Sequence, residues 1–319
     1  MRRGALVPLS GVKGDIMTAT KAFITRHPVL TYFALTFAIS WGGILILVGR
    51  GGFPGTSEQV ERLMLPVLLA LFAGPSVAGI LMTGLVSGGA GFRELLSRLF
   101  RWRVGARWYA VALLTAPLFF TAVSLALSLT SRDFLPGILT TSDKAALLLF
   151  GIAWGLIGGG FLEELGWTGF AVPTLNLRYG VLGTGIIVGF LWGAWHFLVI
   201  FWMSSPSGAV PLALLLPLQL FSWLPAYRVL MVWVYDRTGG SLLVAMLMHA
   251  SLSASMLILQ PQAIQAMSGV PLLTYVLVFG AALWVVVAAV AVANRGQFSR
   301  QAAVLASNTR ERQPGCRAA

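Results

Sequence analysis

Two adjacent carboxylates, Glu163 and Glu164, stand inside the apolar run Gly158-Gly159-Gly160-Phe161-Leu162-Glu163-Glu164-Leu165-Gly166-Trp167. A charged side chain near the centre of a bilayer costs ~2.5–3.5 kcal/mol, so acids at that depth normally face the protein interior and serve a function. Successive residues of an α-helix point ~100° apart, and on that geometry one acid is expected to face a reaction centre while the other braces against a neighbouring helix. Of the three histidines, His27 sits at the mouth of the first apolar segment. His196 and His249 lie inside later ones, Phe-Leu-Trp-Gly-Ala-Trp-His-Phe and Met-Leu-Met-His-Ala-Ser-Leu-Ser. Ser253 is one turn beyond His249 on the same helix face. A carboxylate and two imidazoles in a dry cleft can activate a water, with Glu as general base and His as oxyanion donors or as ligands of a divalent metal such as zinc. The same acids would also suit an ion or proton relay, as in a proton-coupled transporter. Taken singly, each histidine is more simply a helix-to-helix hydrogen bond, the glycines close packing, and the tryptophans near helix ends an interfacial belt. Their joint occurrence raises the chemical reading.

The elements that must position these residues are membrane helices. The chain has 319 residues, 57% of them hydrophobic and only 10% charged, and its mean hydropathy is +0.84. Such a composition belongs to polytopic membrane proteins. The net charge of +12 is broken up by long apolar runs and forms no continuous basic patch, which argues against a nucleic-acid partner. Cys316, the single cysteine, lies in the polar tail, so neither an intrachain disulfide nor a thiol nucleophile near the acids is available. Apolar segments at about 28–48, 63–87, 107–130, 145–172, 181–202, 210–235, 241–259 and 270–293 predict an all-α bundle of about eight transmembrane helices. Numbering these segments from a cytoplasmic N-terminus puts all but Arg50, Arg62, Arg132 and Lys144 of the 22 Lys and Arg on the inside, as the positive-inside rule requires. Both termini are therefore expected to be cytoplasmic. Residues 1–28 read as a basic N-terminal segment, 29–293 as the bundle with its functional core at about 145–259, and 294–319 as a polar, disordered tail. Residues 88–107 have helical apolar spacing with interspersed arginines and are expected to lie along the inner membrane surface. Pro173 to Gly180 is expected to end the fourth helix and turn it back.

Three ordered motifs carry a family resemblance: Glu-Glu-Leu-Gly-Trp-Thr-Gly-Phe, then Phe-Leu-Trp-Gly-Ala-Trp-His, then Tyr-Asp-Arg-Thr-Gly-Gly-Ser followed by His-Ala-Ser-Leu-Ser. Over roughly residues 150–256 the chain resembles the CPBP intramembrane proteases, the CAAX-protease and bacteriocin-processing family that includes the Rce1 prenyl-protein endopeptidases. The resemblance implies an eight-helix endopeptidase of the bacterial cytoplasmic membrane, acting on a protein or peptide substrate that is membrane-bound or prenylated. It implies Glu163 as the base that activates water, Glu164 as its support, and His196 and His249 as oxyanion stabilisers or, with Glu163, as metal ligands. Ser253 falls where the family commonly has Asn. Trp192 stands where the family usually has Phe, and Thr168 where its Glu-Glu-x-x-x-Arg motif has Arg. A non-proteolytic immunity or binding protein on the same fold is the alternative that the missing Arg suggests.

A buried Glu164 still needs a counter-charge. Counting ~1.5 Å per residue from the helix ends places Arg228, His249 and Glu164 at similar depths, so Arg228 is expected to replace the missing arginine. The competing expectation is that Arg228 snorkels to the headgroups. Glu163 is expected to be buried and within about 10 Å of His196 or His249.

Overall fold

The computed structural model describes residue 19 and residues 21–204, 211–261 and 270–294. The expected basic N-terminal segment up to residue 18 and the polar tail from residue 295 lie outside the described residues. Within them the chain is helical without a β-strand: α1 (Pro28–Val48), α2 (Ser57–Leu99), α3 (Ala106–Ser128), α4 (Lys144–Trp154), α5 (Val172–Met203), α6 (Leu212–Phe221), α7 (Leu224–Arg237), α8 (Leu242–Leu259) and α9 (Val270–Ala293). Helix starts follow local chemistry. Pro28 needs no amide donor at the first turn of α1, and the Thr56, Asp143 and Ser241 side chains accept from the Gln59, Ala146 and Val244 amides at the starts of α2, α4 and α8.

Seven helical stretches are long and apolar enough to cross a membrane, and one of them, Lys144–Met203, runs for 60 residues. At ~1.5 Å per residue that is ~90 Å, three times a ~30 Å hydrocarbon core. It does not run straight. Gly180 has φ +63° and ψ −177°, a conformation open to glycine and unfavourable for other residues, and the chain doubles back there. The rings of Trp167 and Trp195 would be ~42 Å apart on one straight helix; they meet edge to face at 5.6 Å. The 60-residue stretch thus supplies two passes, which accounts for the eight expected segments. The turn falls at the last residue of the expected segment, Gly180. Residues 173–179 stay helical, and the Gly169 carbonyl, four residues before Pro173 and so left without its N–H, accepts from Arg98 Nη2 at 3.0 Å instead.

α2 bends at Gly88, φ +56°, and continues as the short amphipathic segment anticipated for this region. There Leu95 packs with Leu242 and Met246, and Arg98 donates to the Gly169 carbonyl at 3.0 Å and the Tyr235 hydroxyl at 3.1 Å. The sixth expected span is two helices, α6 and α7, parted at Ser222–Trp223 with Pro225 restarting the helix. Arg98, Arg101, Asp236 and Asn294 gather at one end of the bundle through the contacts Arg101 to the Gly239 carbonyl and Arg237 to Asn294. Trp202, at the end of an expected span and so expected at an interfacial belt, is instead core. Trp167, Trp192, Trp195 and Trp202 are buried, and Trp195 Nε1 donates to Ser40 Oγ at 2.8 Å. An indole whose N–H finds an internal acceptor can be buried whole.

Candidate active site

Between α4 and α5 the helix widens. Residues Gly155–Glu163 and Trp167–Ala171 form i→i+5 turns, separated by a single α turn at Glu164–Gly166. Such π turns are uncommon and are frequent at functional sites. Packing against this stretch demands glycine. A Cβ on Gly159 would lie 2.2 Å from Ser253 Oγ and 2.9 Å from His249 Nε2, and one on Gly79 of α2 would lie 2.7 Å from the Gly166 Cα. Ser76 of α2 also donates to the Leu162 carbonyl. The acidic pair is therefore clamped between α2 on one side and α8 on the other.

The two carboxylates have different surroundings. Glu163 is 3% exposed, and its Oε2 accepts from two indoles, Trp192 Nε1 at 2.7 Å and Trp167 Nε1 at 3.2 Å. Its Oε1 faces His249 Nε2 at 3.9 Å. That distance is too long for a direct hydrogen bond and is one at which a single water can touch both groups. Glu164 is fully buried. Its Oε1 receives Arg228 Nη1 at 2.8 Å and His249 Nδ1 at 2.7 Å, and its Oε2 receives the Thr168 hydroxyl. The expected replacement of the missing arginine is thus present, and snorkelling is not, because the Arg228 side chain is inaccessible. Thr168 contributes a hydrogen bond where it cannot contribute charge.

His249 joins the two acids. Because neighbouring positions on a helix diverge, one carboxylate was expected to point away from the centre. The imidazole instead offers a nitrogen to each, Nδ1 to Glu164 and Nε2 toward Glu163. Trp192 is the second hub: its indole N–H holds Glu163, its ring lies under the Arg228 guanidinium at 4.3 Å, and it packs edge-on to His249 at 5.0 Å and His196 at 5.6 Å. The Trp192 carbonyl takes His196 Nδ1 at 2.9 Å. Ser253 is half-buried, with its Oγ beside His249 Nε2 above Gly159. All eight residues singled out from the sequence therefore meet in one place. One partner was not foreseen there. Trp167 is one helical turn after Glu163 within the first motif, and that i, i+4 spacing was the signal that could have identified it.

The donor set Glu163, His196 and His249 does not form a metal site. Among the described residues no three His, Cys, Asp or Glu side chains are grouped closely enough to hold an ion. His249 Nδ1 and His196 Nδ1 are engaged by Glu164 and the Trp192 carbonyl, which leaves the two Nε2 atoms to face the site.

Comparison with known proteins finds similarity over the same region. Residues 145–255 match the model of the type II CAAX prenyl endopeptidase Rce1-like family. The chain is also 21% identical over 225 residues to the CAAX prenyl protease 2 of Methanococcus maripaludis, an alignment covering 68% of this chain and 80% of that protein. The match spans α4, the widened turns, α5, α7 and most of α8, the elements that carry every residue of the cluster. The chain is an integral, multi-pass membrane protein whose residues 145–255 are similar to the Rce1-like CAAX endopeptidases.

Proposed function

We propose that the protein is an intramembrane endopeptidase that hydrolyses a peptide bond with water activated by Glu163. The observation that carries this reading is the asymmetry of the Glu163 carboxylate: one oxygen is held by two indole N–H groups and the other faces His249 Nε2 across 3.9 Å. Oε1 of Glu163 takes a proton from a water in that gap, and the resulting hydroxide adds to the scissile carbonyl carbon. The negative oxygen that develops is stabilised by N–H and O–H donors in a site largely closed to water. Protons can be assigned from the acceptors. Glu164 already accepts from Arg228, so His249 Nδ1 is the donor in its 2.7 Å contact with Glu164. When Nε2 also carries a proton, the charges of Glu163, Glu164, Arg228 and His249 sum to zero, and His249 Nε2–H with Ser253 Oγ–H can meet the oxyanion. His196 donates Nδ1–H to the Trp192 carbonyl, which leaves Nε2 as an acceptor when the ring is neutral and suits it to orient the water. Glu163 then passes its proton to the leaving nitrogen, the C–N bond breaks, and the products are a carboxylate and an amine.

The substrate in this reading is a membrane-tethered polypeptide, and the name of the Methanococcus relative points to a prenylated C-terminus. A groove of about 580 Å³ at the arginine-rich end, lined in part by Ser87, Arg98, Gly169, Phe170 and Tyr235, gives a peptide access within one turn of Thr168. The test is cleavage by reconstituted protein of matched peptides ending in a Cys-a-a-X sequence, with and without a prenyl group on the cysteine, read by mass spectrometry of the released fragment. Cleavage of the prenylated peptide, lost in Glu163→Gln, is the expected result. Undiminished cleavage by Glu163→Gln would remove Glu163 as the base.

A further inference from the structure

A second polar recess lies at the arginine-rich end, on a different face of α7 from Arg228. It is a cavity of about 590 Å³ between α3, α7 and α9, lined by Arg107, Trp108, Val111, Trp233, Arg237 and Asn294. That volume falls in the ~300–1,000 Å³ range of small-ligand sites. We propose that it binds the phosphate headgroup of an anionic phospholipid.

Four observations converge on that chemistry. Among the described residues the lining holds two guanidiniums and no acid, and guanidinium is the side chain best matched to phosphate oxygens. Arg107 lies over the Trp108 ring at 5.2 Å, Trp108 meets Trp233 edge to face at 5.1 Å, and Arg237 Nη2 is steadied by Asn294 Oδ1 at 2.6 Å. Both charges are thus fixed against rigid partners. The Trp233 indole N–H is buried and has no hydrogen-bond partner among the described residues, a state that buried donors rarely keep. Finally, the recess opens onto apolar surface. One and two turns further along the same face of α3, Leu114 and Leu118 are 51% and 63% exposed, and on α9 Val292 is 79% exposed, surfaces suited to acyl chains. Tryptophan and arginine together at this level are the usual anchors of headgroup depth, and basic recesses between membrane helices take anionic headgroups. A bound lipid would tie α3 and α9 to α7, the helix that carries Arg228 nine residues before Arg237.

The test uses the full-length protein in detergent, exchanged against vesicles of phosphatidylglycerol or of phosphatidylcholine, with retained lipid counted by native mass spectrometry. Phosphatidylglycerol should be retained in preference, and Arg107→Gln and Arg237→Gln should each weaken it about fivefold. Arg103→Gln, which removes a nearby exposed guanidinium stacked on Trp102, should leave retention unchanged. Arg237→Gln also loses the contact with Asn294, so the exposed Arg107 decides the outcome if that variant unfolds. Equal retention of the two lipids, or an equal loss in Arg103→Gln, would overturn the site. Displacement of the lipid by millimolar inorganic phosphate would show a small-anion site in its place.

Discussion

Glu163 and Glu164 are neighbours in sequence and both are buried, yet one is held by neutral donors and the other by charge. Glu164 is saturated: a guanidinium, an imidazole and a hydroxyl occupy its two oxygens. Glu163 keeps one oxygen committed to two indoles and one directed at a nitrogen it does not touch. A carboxylate with a close donor on each oxygen can support a neighbour but presents no uncommitted oxygen to water. A carboxylate that is oriented and incompletely satisfied can take a proton. On the proposed reading the difference makes Glu164 the support and Glu163 the base, and each role can be broken separately.

The largest effect is expected from Glu163→Gln, which keeps shape and one acceptor but cannot accept the proton. Turnover should fall ~10²–10⁴-fold with the thermal unfolding profile unchanged. Removing the counter-charge should do the reverse. Arg228→Ala leaves Glu164 buried without its guanidinium, at a cost of ~3–5 kcal/mol in stability, measurable by denaturation in detergent micelles. Adding Thr168→Arg to that variant should restore part of the loss, since it returns a cation four residues after Glu164 on the same face. Failure of the double variant to recover would mean that Arg228 acts by more than its charge. Trp192→Phe keeps the aromatic packing but deletes the 2.7 Å donor to Glu163, and a hydrogen bond to a charged group is worth ~1.5–3 kcal/mol. Its kcat should drop ~10–100-fold with little change in KM. Ser253→Ala should cost less, about fivefold in kcat, as one neutral donor among several. Chelation should have the smallest effect: cleavage should persist unchanged in excess EDTA, and a metal-dependent loss would require the donors to regroup from where they stand.

Much of this arrangement could be read before the fold was known. Hydropathy and the placement of arginines marked the helices because a membrane helix must satisfy its backbone internally and keep its charges at the ends. Arg228 could be paired with Glu164 by depth alone, since rise per residue is constant along an α-helix. What could not be read depends on departures from the α-helix. The inference that adjacent acids must diverge assumed ~100° per residue, but the site lies between two π turns, and His249 has nitrogens on opposite edges of its ring. Likewise the indoles of Trp167 and Trp192 look like packing in a sequence, and only the fold shows both N–H groups reaching the same oxygen. The turn was legible as the segment Pro173 to Gly180 but not to the residue, because the carbonyl that Pro173 leaves free is taken by Arg98 and the helix runs on to Gly180.

The position of the counter-charge along the chain also bears on biogenesis. In a Glu-Glu-x-x-x-Arg arrangement the second acid and its cation enter the bilayer on the same helix. Here the cation follows 64 residues later, on α7. During synthesis the segment carrying Glu164 therefore leaves the translocation channel before its partner has been made. An uncompensated acid at mid-helix costs ~2.5–3.5 kcal/mol to insert, and the nearby Thr168 hydroxyl offsets only part of that. The hairpin of α4 and α5 is thus made before the charge that neutralises Glu164, and the acidic pair reaches its final surroundings only once α7 and α8, which carry Arg228 and His249, have joined it.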